Sequence, residues 1–404
     1  MKLPDAPWRK RQGMDKLLTT LDASAGQTRF VGGAVRDTLL ELPVSDVDLA
    51  TRLQPGEVIE RLKRARIRAV PTGLAHGTIT AVLHDGPVEV TTLRRDVTTD
   101  GRHATIAYTE EWQEDAGRRD FTINALFADP ESGEVFDYFG GLADLEARRV
   151  RFIGDPLKRI AEDHLRILRF FRFHARFGAS EPDAAALEAC TARANDLMAL
   201  SRERIADELL KLLALPDPVK TVALMVERRI LTPVLPEIDS NGLGRLSALI
   251  LREQRSDAEG EALRRLAALL PPDPALAASM AARLRLSNKA TKRLVSAARR
   301  GARDEDARAL AYRLGTEEAI DRLLLGEADP ASLKGTIQSL RNWEKPRLPL
   351  TGGDLIAMGL KPGPIVAATL QAIEREWIAQ GFSSEEQAVR TLARTHVDRA
   401  LGEA

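Results

Sequence analysis

Asp46 and Asp48 stand two residues apart behind a glycine pair, Gly32-Gly33, in the run RFVGGAVRDTLLELPVSDVDLA from Arg29 to Ala50. Strand side chains alternate faces, so carboxylates at i and i+2 point the same way. Two such charges side by side repel unless a cation lies between them. Magnesium is the hard, oxygen-seeking ion that answers this need, and paired metals serve in-line phosphoryl transfer. Two glycines ahead of a helix leave backbone N–H groups bare at the positive end of its dipole, a seat for a triphosphate. Arg36 and Asp37 lie between the two features. The elements that must position this chemistry are a strand ending at Phe30-Val31 and a short apolar helix from Ala34 to Leu42. After Pro43 a second strand carries both aspartates.

Two further clusters bear charge in patterns that chemistry could use. Arg118-Arg119-Asp120, with Asn124 four residues on, reads as a salt-bridged helix start. It reads equally as an arginine forked onto phosphate oxygens with an acid and an amide beside ribose hydroxyls. Glu162 and Asp163 read as the start of a helix that carries Arg166, Arg169, Arg172 and Arg176 among large apolar residues. Asp163 and Arg166, at i and i+3, are an intrahelical ion pair or the two halves of a base reader. A carboxylate only accepts hydrogen bonds and a guanidinium only donates. Cytosine and adenine each offer an amino donor beside a ring-nitrogen acceptor, whereas uracil and guanine present the reverse polarity. An Asp/Arg pair facing the base would therefore accept C and A, each good bidentate contact discriminating by about 1–3 kcal/mol. The block Phe136-Asp137-Tyr138-Phe139-Gly140-Gly141 reads as a strand end, a turn and a capped helix.

The surrounding chain sets the scale. At 404 residues it exceeds one compact core, and 59 basic against 59 acidic residues give zero formal net charge. That balance argues against whole-molecule capture of nucleic acid and leaves room for a local basic groove. One cysteine, Cys190, excludes an internal disulfide framework and fits a reducing, cytoplasmic setting. The N-terminal stretch shows charge with no apolar run behind it, and no apolar segment reaches bilayer-spanning length, so no membrane partner is expected. Before residue 150, β-rich runs at 65–70, 76–86, 87–94 and 103–109 alternate with short helices, and Asp85-Gly86 reads as a hairpin turn. The polar stretch 94–103 reads as a mobile loop between strands. After 150 the β-branched runs give way to Leu/Ala/Arg segments of helical spacing. Pro and Gly clusters at 216–218, 271–274 and 345–353 divide them.

These blocks resemble the class II CCA-adding enzymes, tRNA nucleotidyltransferases. The resemblance runs from about Arg29 to Leu213 through GGAVRD, DVD, RRDVTTDGRHA, RRDFTINAL, FDYFGG-ADL, EDHLRILRFFRF and SRERIADELLKLL, and more loosely through 348–364. It implies an α+β chain: a nucleotidyltransferase (polymerase-β-like) mixed-sheet head over 1–150, then an all-α neck (151–215), body (216–345) and tail (346–404). It implies addition of CCA to the 3′ end of tRNA from CTP and ATP without a nucleic-acid template. No obligate protein partner is expected. Asp46 and Asp48 would hold magnesium ions, with Glu89 a third carboxylate beside them. Gly32, Gly33 and Arg36 would meet the incoming nucleotide, and Arg119 would bind it. Asp120 and Asn124 would lie near the ribose. Asp163 and Arg166 would be the amino-acid template, with Arg169 and Arg172 nearby. The stretch 95–103 would be the flexible element needed for the final A, and helix 201–213 the buttress of the template. A poly(A) polymerase and a CC-only adder are relatives with the same head; an RNA-binding protein on an inactive fold is the non-enzymatic alternative. The dipeptide His84-Asp85 sits in the expected hairpin without spaced histidine partners, so no HD phosphohydrolase domain is expected.

Overall fold

The computed structural model describes residues 1–100, 103–300, 306–326 and 330–402, with 96–100, 103–105 and 330 described by backbone alone. Two compact units divide the chain, Met1–Ser240 and Asn241–Ala404. The stretches expected as head and neck thus fall in one unit.

The first unit holds the strands β1 (Thr28–Val31), β2 (Asp48–Thr51), β3 (Arg68–Gly73), β4 (Thr78–Leu83), β5 (Gly86–Thr92), β6 (Arg94–Asp100), β7 (His103–Tyr108), β8 (Leu126–Ala128) and β9 (Val135–Asp137). Among the described residues seven of them form one mixed sheet in the order β3-β4-β5-β2-β1-β8-β9. Only the β2–β5 pair is parallel, with Asp48 opposite Glu89. Alternation dictates which face is buried. On β5, Val88, Val90 and Thr92 are buried while Glu89 is exposed, the period-2 signature of a half-buried strand. Phe30, Leu49 and Ile79 complete that interior, and Phe127 packs on the other face with Val31, Ala50 and Trp112. The β4–β5 hairpin turns at His84-Asp85, with Gly86 already paired to Leu83, one residue earlier than expected. Stretch 94–103 is mostly strand, β6 paired with β7; Gly101 and Arg102, near the end of the expected loop, lie outside the described residues.

Helices α1 (Met14–Thr20), α2 (Gly33–Leu39), α3 (Pro55–Arg64), α4 (Trp112–Gly117) and α5 (Gly141–Glu146) accompany the sheet. Then come α6 (Pro156–Glu162), α7 (Arg166–Phe177), α8 (Ala184–Ala192), α9 (Arg202–Leu213) and α10 (Val219–Glu227). Cys190 is buried on α8, where burial pushes its thiol well above the ordinary range. The phenylalanines of α7 anchor it: Phe170 stacks 5.9 Å from Phe152, and Phe173 lies 5.2 Å from Phe121.

The second unit is helical, from α11 (Ser240–Arg255) through α12 (Ala262–Leu269), α13 (Pro274–Arg283), α14 (Asn288–Ala298) and α15 (Ala307–Leu314). It continues with α16 (Thr316–Leu325), α17 (Pro330–Arg341), α18 (Gly352–Ala357), α19 (Pro364–Ala379) and α20 (Glu386–Gly402). One cluster gathers Leu249, Ile320, Leu324, Ile337 and Leu340, and another Leu355, Ile373, Trp377, Val389 and Val397. No helix among the described residues is long and apolar enough to cross a membrane.

Three local expectations are corrected. Asp46 precedes the strand, because the ladder with β5 begins at Val47, whose carbonyl accepts from the Glu89 amide at 3.2 Å. Arg118-Arg119-Asp120 does not open a helix. It closes α4 and leads into a single 3-10 turn, Thr122–Asn124, and then into β8. Glu162 ends α6, and Asp163 sits between helices, its side chain accepting the Leu165 amide at 3.1 Å just ahead of α7.

Candidate active site

Gly32 closes β1 at φ +71°, a conformation glycine adopts freely. A Cβ there would stand 3.4 Å from Arg119 Nη1 and 3.6 Å from the Asn124 carbonyl. The glycine turn and the Arg119–Asn124 segment are therefore packed wall to wall. Arg119 donates through Nη2 to Asp115 Oδ2 at 3.0 Å, and its Nε is buried with no acceptor among the described residues. Asp115 is itself buried between Arg118 and Arg119; burial alone would raise its carboxyl, and the two guanidinium groups outweigh that and hold it below the usual range.

The acids gather at the strand ends. Parallel pairing sets Asp48 beside Glu89, and Asp46, two residues earlier, accepts from Ser45 Oγ at 2.9 Å. Burial first, then Glu89, pushes the Asp48 carboxyl up to about 6; Arg119 opposes and Asp46 reinforces the rise. The acids thus outnumber their one cationic neighbour, and a divalent cation is the chemistry this donor set suits. Among the described residues no three or more acid, histidine or cysteine side chains form a self-sufficient metal cage. An ion held here would share its coordination with substrate oxygens, the ordinary habit of magnesium.

Behind the turn runs a continuous ionic relay. Arg36 is 6% exposed, bonds Asp37 Oδ1 through Nε at 2.7 Å and reaches Asn124 Oδ1 through Nη1. Its guanidinium lies 4.2 Å from the ring centre of Phe177 on α7. Asn124 Nδ2 donates to Asp120 Oδ1 at 2.9 Å, which also accepts the Phe121 amide at 2.8 Å. Asp120 Oδ2 takes two bonds from Arg169, at 2.9 and 2.6 Å. Burial would raise the Asp120 carboxyl, but Arg169 and Asn124 hold it below the usual range. With four bonds accepted, Asp120 has no lone pair to spare. Arg169 also lies 3.6 Å from Glu208 of α9, and Arg172 donates to Glu208 at 2.6 Å.

Asp163 and Arg166 flank this relay; the Arg166 amide donates to the Asp163 carbonyl at 3.0 Å, while their side chains bond other partners. Asp163 Oδ2 accepts from Arg204 of α9 at 2.7 Å. Arg166 is held by Glu162, by the Arg159 carbonyl at 2.8 Å and by the Arg118 carbonyl at 3.1 Å. The structure thus joins Gly32, Arg36, Arg119, Asp120, Asn124 and Arg169; Arg166 reaches the same segment through the Arg118 carbonyl, and a Cβ at Gly33 would stand 3.6 Å from Arg36 Nη2. Asp115, Glu208 and Arg204 were not singled out in the sequence. The available signals were the acid three and four residues before the arginine pair, and the acid amid the apolar ADELL.

The sequence model described as "Poly A polymerase head domain" matches residues 28–151, and "Probable RNA and SrmB- binding site of polymerase A" matches 181–241. A mitochondrial CCA tRNA nucleotidyltransferase 1 of Mus musculus is 34% identical over 92% of this chain and 87% of its own. A CCA-adding enzyme of Limosilactobacillus fermentum is 31% identical over 92% of this chain and 93% of its own. The chain belongs to the CCA-adding tRNA nucleotidyltransferases. Solved structures agree on the fold. A Bacillus stearothermophilus CCA-adding enzyme in complex with CTP superposes with a TM-score of 0.71 at 24% identity, covering 97% of this chain and all (100%) of that one. A Thermotoga maritima CCA-adding enzyme complexed with tRNA gives 0.63 at 20% identity over 95% of each chain. In this CCA-adding family member, several cations are engaged internally: Arg149 and Arg151 with buried Asp144, Arg159 with Glu162, and Arg293 with Asp321. Lys158, Lys289, Lys292 and Arg299 are exposed.

Proposed function

We propose that this chain adds CCA to the 3′ end of tRNA, using CTP twice and ATP once and releasing pyrophosphate at each step. The observation that carries the reading is the relay from the glycine turn through Asn124, Asp120 and Arg169 to Glu208. It couples the glycine turn to α7, the helix that follows Asp163. Asp46 and Asp48, with Glu89 beside Asp48, hold magnesium, which when bound supplies charge neutralisation at the attacking hydroxyl and the leaving group. Arg119, with its unmatched Nε, takes phosphate oxygens of the incoming nucleotide. Gly32 and Gly33 let that triphosphate approach the backbone. Arg36 braces Asn124 from inside the wall, and Asn124 faces the ribose. Asp120 acts through Asn124 and Arg169 as a positioning residue. Asp163 and Arg166 read the base by accepting and donating respectively, and Arg169 and Arg172 fix the helix that presents them. The stretch from Arg95 to His103 serves the final A. Exposed Lys158, Lys289, Lys292 and Arg299 take RNA phosphates, and the reaction belongs in the cytoplasm.

The test offers purified protein, magnesium and tRNA ending before CCA, with labelled CTP or ATP. Two cytidines followed by one adenosine are expected. Long adenosine tails without CTP would make it a poly(A) polymerase, arrest after two cytidines a CC-only adder, and no incorporation an RNA-binding protein.

A further inference from the structure

A cavity of about 190 Å³ opens in the second unit among α11, α12, α16 and the residue pair after α14, and shares no lining residue with the candidate active site. Its lining is Arg245, Arg252 and Arg300 with six uncharged residues, Ala248 and Leu249 among them. Among the described residues the arginines are tied down only by main-chain carbonyls. Arg245 bonds Ala268 O at 2.9 Å and Leu269 O at 3.1 Å; Arg252 bonds Leu324 O at 3.2 Å and also Gly326 O; Arg300 bonds Leu270 O at 3.1 Å. Carbonyls orient a guanidinium without cancelling its charge. Among the described residues no carboxylate forms an ion pair with any of the three, in a chain where other arginines repeatedly find acids. Arg300 Nε is buried and has no acceptor. Burial, and then the charge of Arg245, make Arg300 surrender its proton more readily than usual, which places the two cations within mutual repulsion.

We propose that this cavity is a binding site for a phosphate group, gripped by Arg245, Arg252 and Arg300. Three converging cations without a counter-ion among the described residues are costly to assemble, and an oxyanion removes the cost. A tetrahedral phosphate offers an oxygen to each of three guanidinium forks, whereas a carboxylate offers two in one plane. Ala248 and Leu249 leave the wall too short to supply an acid from within. The phosphate comes either from the backbone of a bound RNA or from the free anion.

Full-length protein is melted in 10 mM sodium phosphate (roughly ten times a millimolar Kd,) and in sodium chloride of equal ionic strength and pH. The second unit's transition is expected to rise by about 2–4 °C in phosphate. Ala248→Glu, which adds a carboxylate at an exposed position on the cavity wall, is expected to raise the midpoint in chloride and to lose that phosphate response. Arg300→Gln is expected to lose the response without the rise. A phosphate response in both variants equal to that of the unmodified chain overturns the proposal. The source is read from kinetics, and this arm alone rests on the CCA-adding reading. A several-fold higher KM for tRNA in Ala248→Glu at unchanged kcat assigns the phosphate to RNA, and an unchanged KM assigns it to the free anion. Failure of CTP incorporation in every protein would defeat the CCA-adding reading and leave the melting result standing.

Discussion

At the scale of single residues, the decisive groups are charges whose partners limit what else they can do. Arg169 is the main counter-charge of buried Asp120. Arg169→Gln strands that carboxylate and is expected to cost about 3 kcal/mol in urea unfolding at pH 7. Arg169→Lys should recover only part, because two parallel bonds onto one oxygen need the guanidinium fork. The pH dependence has a definite sign. Asp120 sits below its ordinary 3.8 in the folded chain, so its contribution is complete above that value and disappears as acid protonates the folded form. Without Arg169, burial dominates and the folded carboxyl rises above 3.8, so the deficit of the variant should be largest near neutrality and shrink toward pH 4. A deficit independent of pH would mean that Arg169 acts by packing alone. Asp163 calls for a different readout. Asp163→Ala is expected to keep nucleotide incorporation while losing its preference for C and A over U and G, by about 1–3 kcal/mol in relative kcat/KM. Retained C/A fidelity would refute the template role.

Elements decide whether such residues meet. Gly141 opens α5 so close to the 3-10 turn that a Cβ would stand 2.3 Å from the Thr122 carbonyl oxygen. Asp144 of the same helix accepts from Thr122 Oγ1 at 2.7 Å, and Asp137 caps the helix through the Gly141 and Leu142 amides at 2.9 Å each. The block from Phe136 to Asp144 therefore braces the turn that carries Asn124. Gly141→Ala is expected to destabilise the first unit by about 1–3 kcal/mol and to raise the KM for CTP by moving Asn124. Unchanged stability and KM would show that the backbone yields without consequence. Much of this layer is legible from sequence: the alternation of Val88, Val90 and Thr92 gives β5 and its exposed Glu89, and FDYFGG gives strand, turn and capped helix. The helix ends are less so. Asp163 looks like the first turn of a helix by spacing. Which amide its side chain takes decides the boundary, and that is fixed by Arg204 arriving from α9, 41 residues away. The relay was illegible for the same reason. Arg36, Asn124, Asp120, Arg169 and Glu208 carry no mutual periodicity, and only tertiary packing brings them to one line.

Over the whole molecule, charge sets how RNA can be held. The 59 basic residues are balanced by 59 acids, so attraction at long range is weak and binding must come from local faces whose cations are not already spent. Arg149, Arg151 and Arg293 are spent on buried acids, which sequence alone could not reveal because their partners are distant or interior. Lys289 and Lys292 of α14, with Arg299 just beyond it, recur at i, i+3 and i+10, one stripe of a helix, and all three are exposed. If this stripe meets tRNA phosphates, each contact releases condensed counterions, and log affinity should fall with log salt by about 0.9 per duplex phosphate neutralised. Replacing all three by glutamate should weaken tRNA binding most at low salt and flatten the slope by about 2–3. CTP affinity measured without tRNA should not move, since the stripe belongs to the second unit and the nucleotide residues to the first. A slope unchanged by the triple replacement would remove the stripe from the RNA interface and transfer that role to other exposed cations such as Lys158.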